Sequence, residues 1–316
     1  CRLNAKDPYG KVGVCGATID TIMARNFGRM VATGSAAHTD HGMAMVDLFR
    51  EVVNGNILDY RIKDPLKLNA VAESIGIETE GRSMKEVAQD LYKELERTYT
   101  QVEGEIPFMK RVPEKTLETW RKLGIVPRGA MREIMEMMHR THMGVDQDYE
   151  NITRQASRTA LADGWGGSMV STEISDILYG TPSPVAIEVN MGVLKEDQVN
   201  IIVHGHEPNL FESMIESVNE PTLVQAAKDA GASGINLVGM CCSGAEVMVR
   251  HAIPHAGNFS STEPVLVTGA VDAMTVDIQC IKQGLVSVAE CYGTPLITTN
   301  PRCRIEGAVH IELHED

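Results

Sequence analysis

Val199-Asn200-Ile201-Ile202-Val203-His204-Gly205-His206-Glu207-Pro208 reads as a buried strand running into a glycine-hinged turn that carries two histidines. The run is short, apolar and closed by a turn signal, as a core strand is. Two later stretches repeat the layout. Ile235-Asn236-Leu237-Val238-Gly239 leads into Met240-Cys241-Cys242, and Thr275-Val276-Asp277-Ile278-Gln279 leads into Cys280. From residue 185 onward strands and helices alternate. Strand-like runs fall at 185–190, 198–203, 235–238, 274–279 and 295–299, and helical ones at 221–230, 244–251 and 281–292. Such alternation predicts a parallel sheet with helices on its faces. Residues 263–271 fit a helix or a strand equally well.

Upstream the text is mostly helical. Apolar residues recur every three or four positions in 20–30 and again in 38–53. Residues 64–76 carry Pro65 at the first helical position. Residues 83–99 open with Ser83 and Glu86 in a capping box. Residues 103–113 read as a polar, proline-bearing loop, and 113–123 and 128–139 as further helices. Gly164-Trp165-Gly166-Gly167 breaks the helical pattern, which resumes to about residue 178. Thr181-Pro182-Ser183-Pro184 marks a boundary. The expected fold class is therefore α + α/β: a helical domain over residues 1–182, then a parallel-sheet domain over 183–316.

Composition narrows the function. The 316 residues are 43% hydrophobic, enough for a substantial core, and carry a net charge of -14. An acidic surface disfavours nucleic acid and anionic membrane as partners. No run approaches the ~18 apolar residues of a membrane span. Seven cysteines among ten histidines and seventeen methionines are too few and too irregular for a disulfide framework. Reduced thiols for metal or redox work fit better, and with them a reducing cytoplasm.

The three repeated strand ends bring His206, Cys242 and Cys280 into consideration together. In open parallel sheets the ligand crevice lies beyond the carboxyl ends of the strands. Thiolate and imidazole form a soft donor set for iron–sulfur, zinc or other late transition metals. His204 competes with His206, because residues two apart in an extended segment point to one side. Cys241 and Cys242 point to opposite sides if extended, so one of the two is the better ligand. Cys1 and Cys15 form a further pair; two thiols alone do not complete a four-cysteine cluster. His38 and His41, three apart at a helix start, share a face, and imidazoles in file suit a proton relay. Asp163 is a candidate site carboxylate. Cys291 reads as core, Cys303 as exposed, and Met131, Met135 and Met138 as core filler.

Taken together these stretches resemble the anaerobic nickel–iron–sulfur carbon monoxide dehydrogenases. The matching text is Gly13-Val14-Cys15-Gly16-Ala17, Ala36-Ala37-His38-Thr39-Asp40-His41-Gly42 and Leu161-Ala162-Asp163-Gly164-Trp165-Gly166-Gly167, with the stretches around His206, Cys242 and Cys280 quoted above. The resemblance implies a helical domain followed by a Rossmann-like one. It implies CO + H2O → CO2 + 2 H+ + 2 electrons, reversibly, at a nickel–iron–sulfur cluster. His206 and Cys242 would bind the pendant iron and Cys280 another iron, with Cys241 adjacent and involved in nickel loading. Cys1 and Cys15 would be two of four ligands to a relay [4Fe–4S] cluster. His38 would be the acid–base histidine, His41 the next station of a proton path, and Asp163 a carboxylate near the active site.

The same resemblance implies CO, CO2 and water as small substrates, a ferredoxin-like electron carrier, a homodimer, and no nucleic acid or membrane insertion. Other ligands of the family have no counterpart here, so the chain reads as an internal fragment that is inactive alone. Two alternatives are a hybrid-cluster (hydroxylamine reductase-like) protein, disfavoured by Cys241-Cys242, and a non-catalytic metal-binding subunit.

Overall fold

A computed structural model describes residues 3, 6 and 9–313. Expectations placed on Cys1 lie outside the described residues. The chain divides into two compact units, Cys1–Leu178 and Tyr179–Asp316.

The first unit is helical. The two periodic runs near its start are one helix, α1 (Ile19–Asn54), capped by Thr18 and ended by Gly55 at φ 78°. Its inward stripe is small: Ala24, Gly28, Ala32 and Ser35 are all buried. Small side chains at three- and four-residue spacing let α5 (Ala130–Arg140) and α6 (Tyr149–Ala162) pack closely, with Met137, Ile152 and Ala156 in the seam. Between them in sequence lie α2 (Pro65–Ser74), α3 (Met84–Thr100) and α4 (Glu114–Leu123). The caps read from the sequence form: the Asp64 side chain accepts from the Lys67 N–H, and Ser83 and Glu86 make the reciprocal pair.

Three readings of this unit change. Residues 103–113 are no solvated loop, since Ile106, Phe108 and Met109 are at most 1% exposed and Pro107–Arg111 is a 3-10 turn. The Gly164-Trp165-Gly166-Gly167 stretch does not break the chain. It forms a π-helical segment, Asp163–Ser168, continuous with α6 before it and α7 (Met169–Tyr179) after it. Met131, Met135 and Met138 do share one face of α5, but it is the outer one, 39%, 57% and 47% exposed.

The second unit is a six-stranded sheet in the order β3-β2-β1-β4-β5-β6, every neighbouring pair parallel. The strands are β1 (Val199–Gly205), β2 (Ile235–Met240), β3 (His255–Gly257), β4 (Ala273–Val276), β5 (Leu296–Thr298) and β6 (Val309–His310). The connecting helices are α8 (Asn209–Ser217), α9 (Pro221–Asp229), α10 (Cys241–His251), α11 (Thr262–Val267) and α12 (Leu285–Cys291). Ile202, Val238 and Met274 face one apolar cluster, while Val203 and Leu237 face another with Phe211 and Val247. Both faces are therefore covered, which is why these strands read as continuous apolar runs. The order is that of a doubly wound Rossmann-type sheet, whose connections reverse direction between β1 and β4.

Residues 185–190 do not form the expected strand. Val185 and Val189 are 37% and 56% exposed, and only Val189 bridges, to His255. Without a covering layer that apolar run has no burial to drive pairing. Residues 263–271, open between helix and strand, begin within helix α11 (Thr262–Val267) and contain no strand. Cys291 is exposed, because Leu285, Val286 and Ala289 set the inward face of α12.

Candidate metal centre

In the second unit the site is built at the carboxyl ends of β1, β2 and β4. Asp277, the first residue beyond β4, ties these ends together. Its Oδ1 accepts from the backbone N–H groups of His206 (2.6 Å), Glu207 (3.2 Å) and Ile278 (2.5 Å). Its Oδ2 accepts from the Ser243 hydroxyl at 2.6 Å. Burial pushes the Asp277 carboxyl up to about 6, and these four donors pull against that shift. Gly205 is what admits the carboxylate. It sits at φ 147°, and a Cβ there would overlap the Asp277 side chain. Asp277 stood in the quoted stretch without a role; the signal was a carboxylate directly after a buried strand.

Cys241 and Cys242 are not extended, as the sequence reading allowed. They are the first two residues of α10, and Cys241 has φ 56°. Gln279 and Cys280 turn the chain after β4 at φ 64° and 55°. Non-glycine residues in this region cost about 1–3 kcal/mol each and cluster at functional sites. Burial first, then the neighbouring Cys280 and Cys242 thiols, push Cys241 up to about 12. Cys242 is raised by burial and by Cys280. Cys303, expected to be exposed, is half-buried, and burial pushes its thiol up against the pull of the Gln279 N–H, so a fourth thiol borders this turn.

The two histidines of the opening stretch part company. His206 is 7% exposed in the turn beyond β1. His204, the last buried side chain of the strand proper, is 0% exposed and its Nε2 lies 2.9 Å from the Cys280 carbonyl oxygen. Burial lowers its pKa, so it is neutral near pH 7. Among the described residues no three His, Cys, Asp or Glu side chains converge on one point to hold a single ion. Three thiols and an imidazole ranged over three strand ends suit several bridged metal atoms better than one cation. By donor chemistry the residues present fit an iron–sulfur-type cluster. All the described cysteines are unbridged.

The first unit holds two further features. His38 Nδ1 is 2.7 Å from Asp163 Oδ1, joining α1 to the π-helical segment. The hydrogen bond to Asp163 raises the His38 pKa against the opposing effect of burial. His41, one turn on, is 3% exposed. Cys15 is half-buried beside a cavity of about 170 Å³ that Arg25 and Arg29 also line. The Ala17 N–H, and after it the Arg25 guanidinium, draw the Cys15 thiol below its usual range.

Comparison with known proteins agrees over the whole length. The Prismane/CO dehydrogenase family matches residues 1–316. Carbon monoxide dehydrogenase 1 of Methanosarcina mazei is 48% identical over 319 residues, covering 100% of this chain and 50% of its own. The carbon monoxide dehydrogenase/acetyl-CoA synthase subunit beta of Moorella thermoacetica is 44% identical, over 99% of this chain and 46% of its own. The nickel-free crystal structure of carbon monoxide dehydrogenase from Thermococcus sp. AM4 superposes with a TM-score of 0.95 at 46% identity, covering 100% of this chain and 50% of that one. The chain thus spans about half the length of the curated relatives it matches.

Proposed function

Because the chain belongs to the Prismane/CO dehydrogenase family, we propose that it forms part of an anaerobic carbon monoxide dehydrogenase, interconverting CO + H2O with CO2, protons and electrons. One observation carries this reading: Cys241, Cys242, Cys280 and His206 gather at the strand ends of a doubly wound sheet, two of the cysteines in left-handed backbone. In this reading His206 and Cys242 hold one iron of a nickel–iron–sulfur cluster and Cys280 another, while Cys241 serves nickel loading. Cys1 and Cys15 hold part of a [4Fe–4S] relay cluster. When bound, the nickel–iron–sulfur cluster supplies a soft site for CO and a Lewis acid that makes water acidic.

The protein side of the chemistry is proton handling and positioning. Asp163 holds His38 through Nδ1, and the imidazole takes and returns the proton. Asp277 keeps the His206 turn in place through its backbone rather than through its imidazole. Electrons leave to a ferredoxin-like carrier, and the whole enzyme is a cytoplasmic homodimer. No helix of the described residues is long and apolar enough to cross a membrane.

The test is anaerobic purification of the protein that carries this chain, with metal analysis and CO oxidation followed by a viologen dye. Nickel with iron, and loss of activity in His206→Ala and Cys242→Ala, support the reading. Iron without nickel would favour a hybrid-cluster protein and zinc alone a binding subunit. CO oxidation retained by either variant overturns the ligand assignment.

A further inference from the structure

Two buried imidazoles grip the backbone of the two strained cysteines. His204, on β1, places Nε2 2.9 Å from the carbonyl oxygen of Cys280, in the turn after the neighbouring strand β4. His255, on β3, places Nε2 3.1 Å from the carbonyl oxygen of Cys241, the first residue of α10 directly after the neighbouring strand β2. Carbonyl oxygens only accept, so both Nε2 atoms carry the proton and donate it. For His255 the tautomer is fixed a second time, because Nδ1 accepts the Gly257 N–H at 3.2 Å. The two histidines are 0% and 7% exposed. The two cysteines have φ 55° and 56°, in a region that side-chain-bearing residues disfavour. Each histidine thus reaches across one strand spacing to a left-handed cysteine.

We propose that His204 and His255 are positioning residues that clamp Cys280 and Cys241, and that this clamp presents the two thiols to the metal cluster. A left-handed residue turns its carbonyl out of the strand ladder. The buried imidazole Nε2–H donates to that carbonyl, and its rigid ring fixes the direction in which the carbonyl points. The clamp also gives His204 a task other than metal ligation, which separates it from His206. The identity of what the thiols hold rests on the proposed function; the clamp itself rests on the hydrogen bonds.

The experiment compares His204→Leu, His204→Gln, His255→Leu and His255→Gln in the full protein, purified anaerobically. Glutamine keeps an N–H donor three bonds from Cβ, where the imidazole has one. Nickel content and the cluster's electron paramagnetic resonance signature are read beside the relay-cluster signal of the same sample. The leucine variants should lose nickel and the nickel-cluster signature while retaining the relay signal, and the glutamine variants should restore both. Unchanged nickel content and line shape in the leucine variants overturn the proposal. If the leucine variants do not fold, loss of nickel in the well-folded glutamine variants overturns it instead.

A second measurement does not depend on the cluster. In chelator-stripped protein, iodoacetamide labelling read by peptide mass should change several-fold at Cys280 in His204→Leu, and at Cys241 in His255→Leu, each at its own cysteine. Equal labelling to the parent overturns the clamp. A parent protein that holds neither nickel nor iron would sink the functional reading while leaving this labelling test standing.

Discussion

His38 and Asp163 are 125 positions apart in the chain, yet Nδ1 of the one lies 2.7 Å from Oδ1 of the other. The carboxylate favours the charged imidazole and raises its pKa above the ordinary 6.5. Asp163→Asn should therefore lower the His38 pKa, seen directly by NMR titration of labelled histidine. If His38 accepts the proton during CO oxidation, the rising limb of the pH–rate profile should move to lower pH in the same variant. His38→Ala should cost about 100-fold or more in kcat. For stability the sign is the opposite of a carboxylate's. The pair's contribution is full below pH 6.5 and fades as pH rises through the raised value of the folded state. An unmoved limb in Asp163→Asn would remove Asp163 from the mechanism.

The π-helical segment explains how that pair is reached. Gly167 lies against His38, such that a Cβ would stand 2.8 Å from both the carbonyl carbon and the Cβ of His38. Widening the helix at Asp163–Ser168 presents this glycine edge to α1 and points Asp163 at the ring. Gly167→Ala should push the two segments apart and lower the His38 pKa towards that of Asp163→Asn, with the fold retained by circular dichroism. A His38 titration identical to the parent's would show that the segment does not set the pair.

Much of the helical unit was legible because its signals are local. Asp64 with Pro65, and Ser83 with Glu86, lie within four residues of what they cap. The strand ends carrying His206, Cys242 and Cys280 were legible too, since β1, β2 and β4 are apolar runs closed by turns. What escaped was set by distant partners. The methionines of α5 showed a stripe, but periodicity does not say what covers a stripe. The left-handed turns at Cys241 and Cys280 depend on His255 and His204, and nothing in the residues beside them announces this. Helix α8 was missed because it begins inside the turn that holds His206, where no cap side chain marks its start.

A buried ion network in the helical unit gives an acid-stability prediction. Glu133 is 0% exposed and receives Arg128 Nε at 2.9 Å and Nη2 at 2.8 Å, with Gln155 Nε2 at 2.8 Å. Arg128→Ala takes from that buried carboxylate the cation that bonds it directly, leaving only Arg158 Nη1 at 3.9 Å, and should destabilise by about 3–5 kcal/mol, measured by chemical denaturation. Glu136, beside it, is opposed by burial yet drawn down to about 2 by Arg140 and Arg128. Its contribution should be full above pH 4.5 and lost as pH falls through about 2. Glu136→Gln should flatten stability between pH 4.5 and 2; a profile as steep as the parent's would refute the assignment.

The contact of Gly205 with Asp277 should behave as one unit. Asp277→Asn keeps the shape but exchanges an acceptor oxygen for an N–H2 group, facing three backbone donors or the Ser243 hydroxyl. Leaving buried donors without an acceptor costs about 1–3 kcal/mol. Gly205→Ala meets the problem from the other side. At φ 147° an alanine is strained by about 1–3 kcal/mol, and its methyl group displaces the carboxylate from the same N–H groups. Once either change has broken the contact, the second has less left to break. The double variant should therefore lose clearly less stability than the two single losses added together. Full additivity in chemical denaturation would mean that the strand end tolerates the alanine without moving Asp277, and that the carboxylate does not organise the His206 turn.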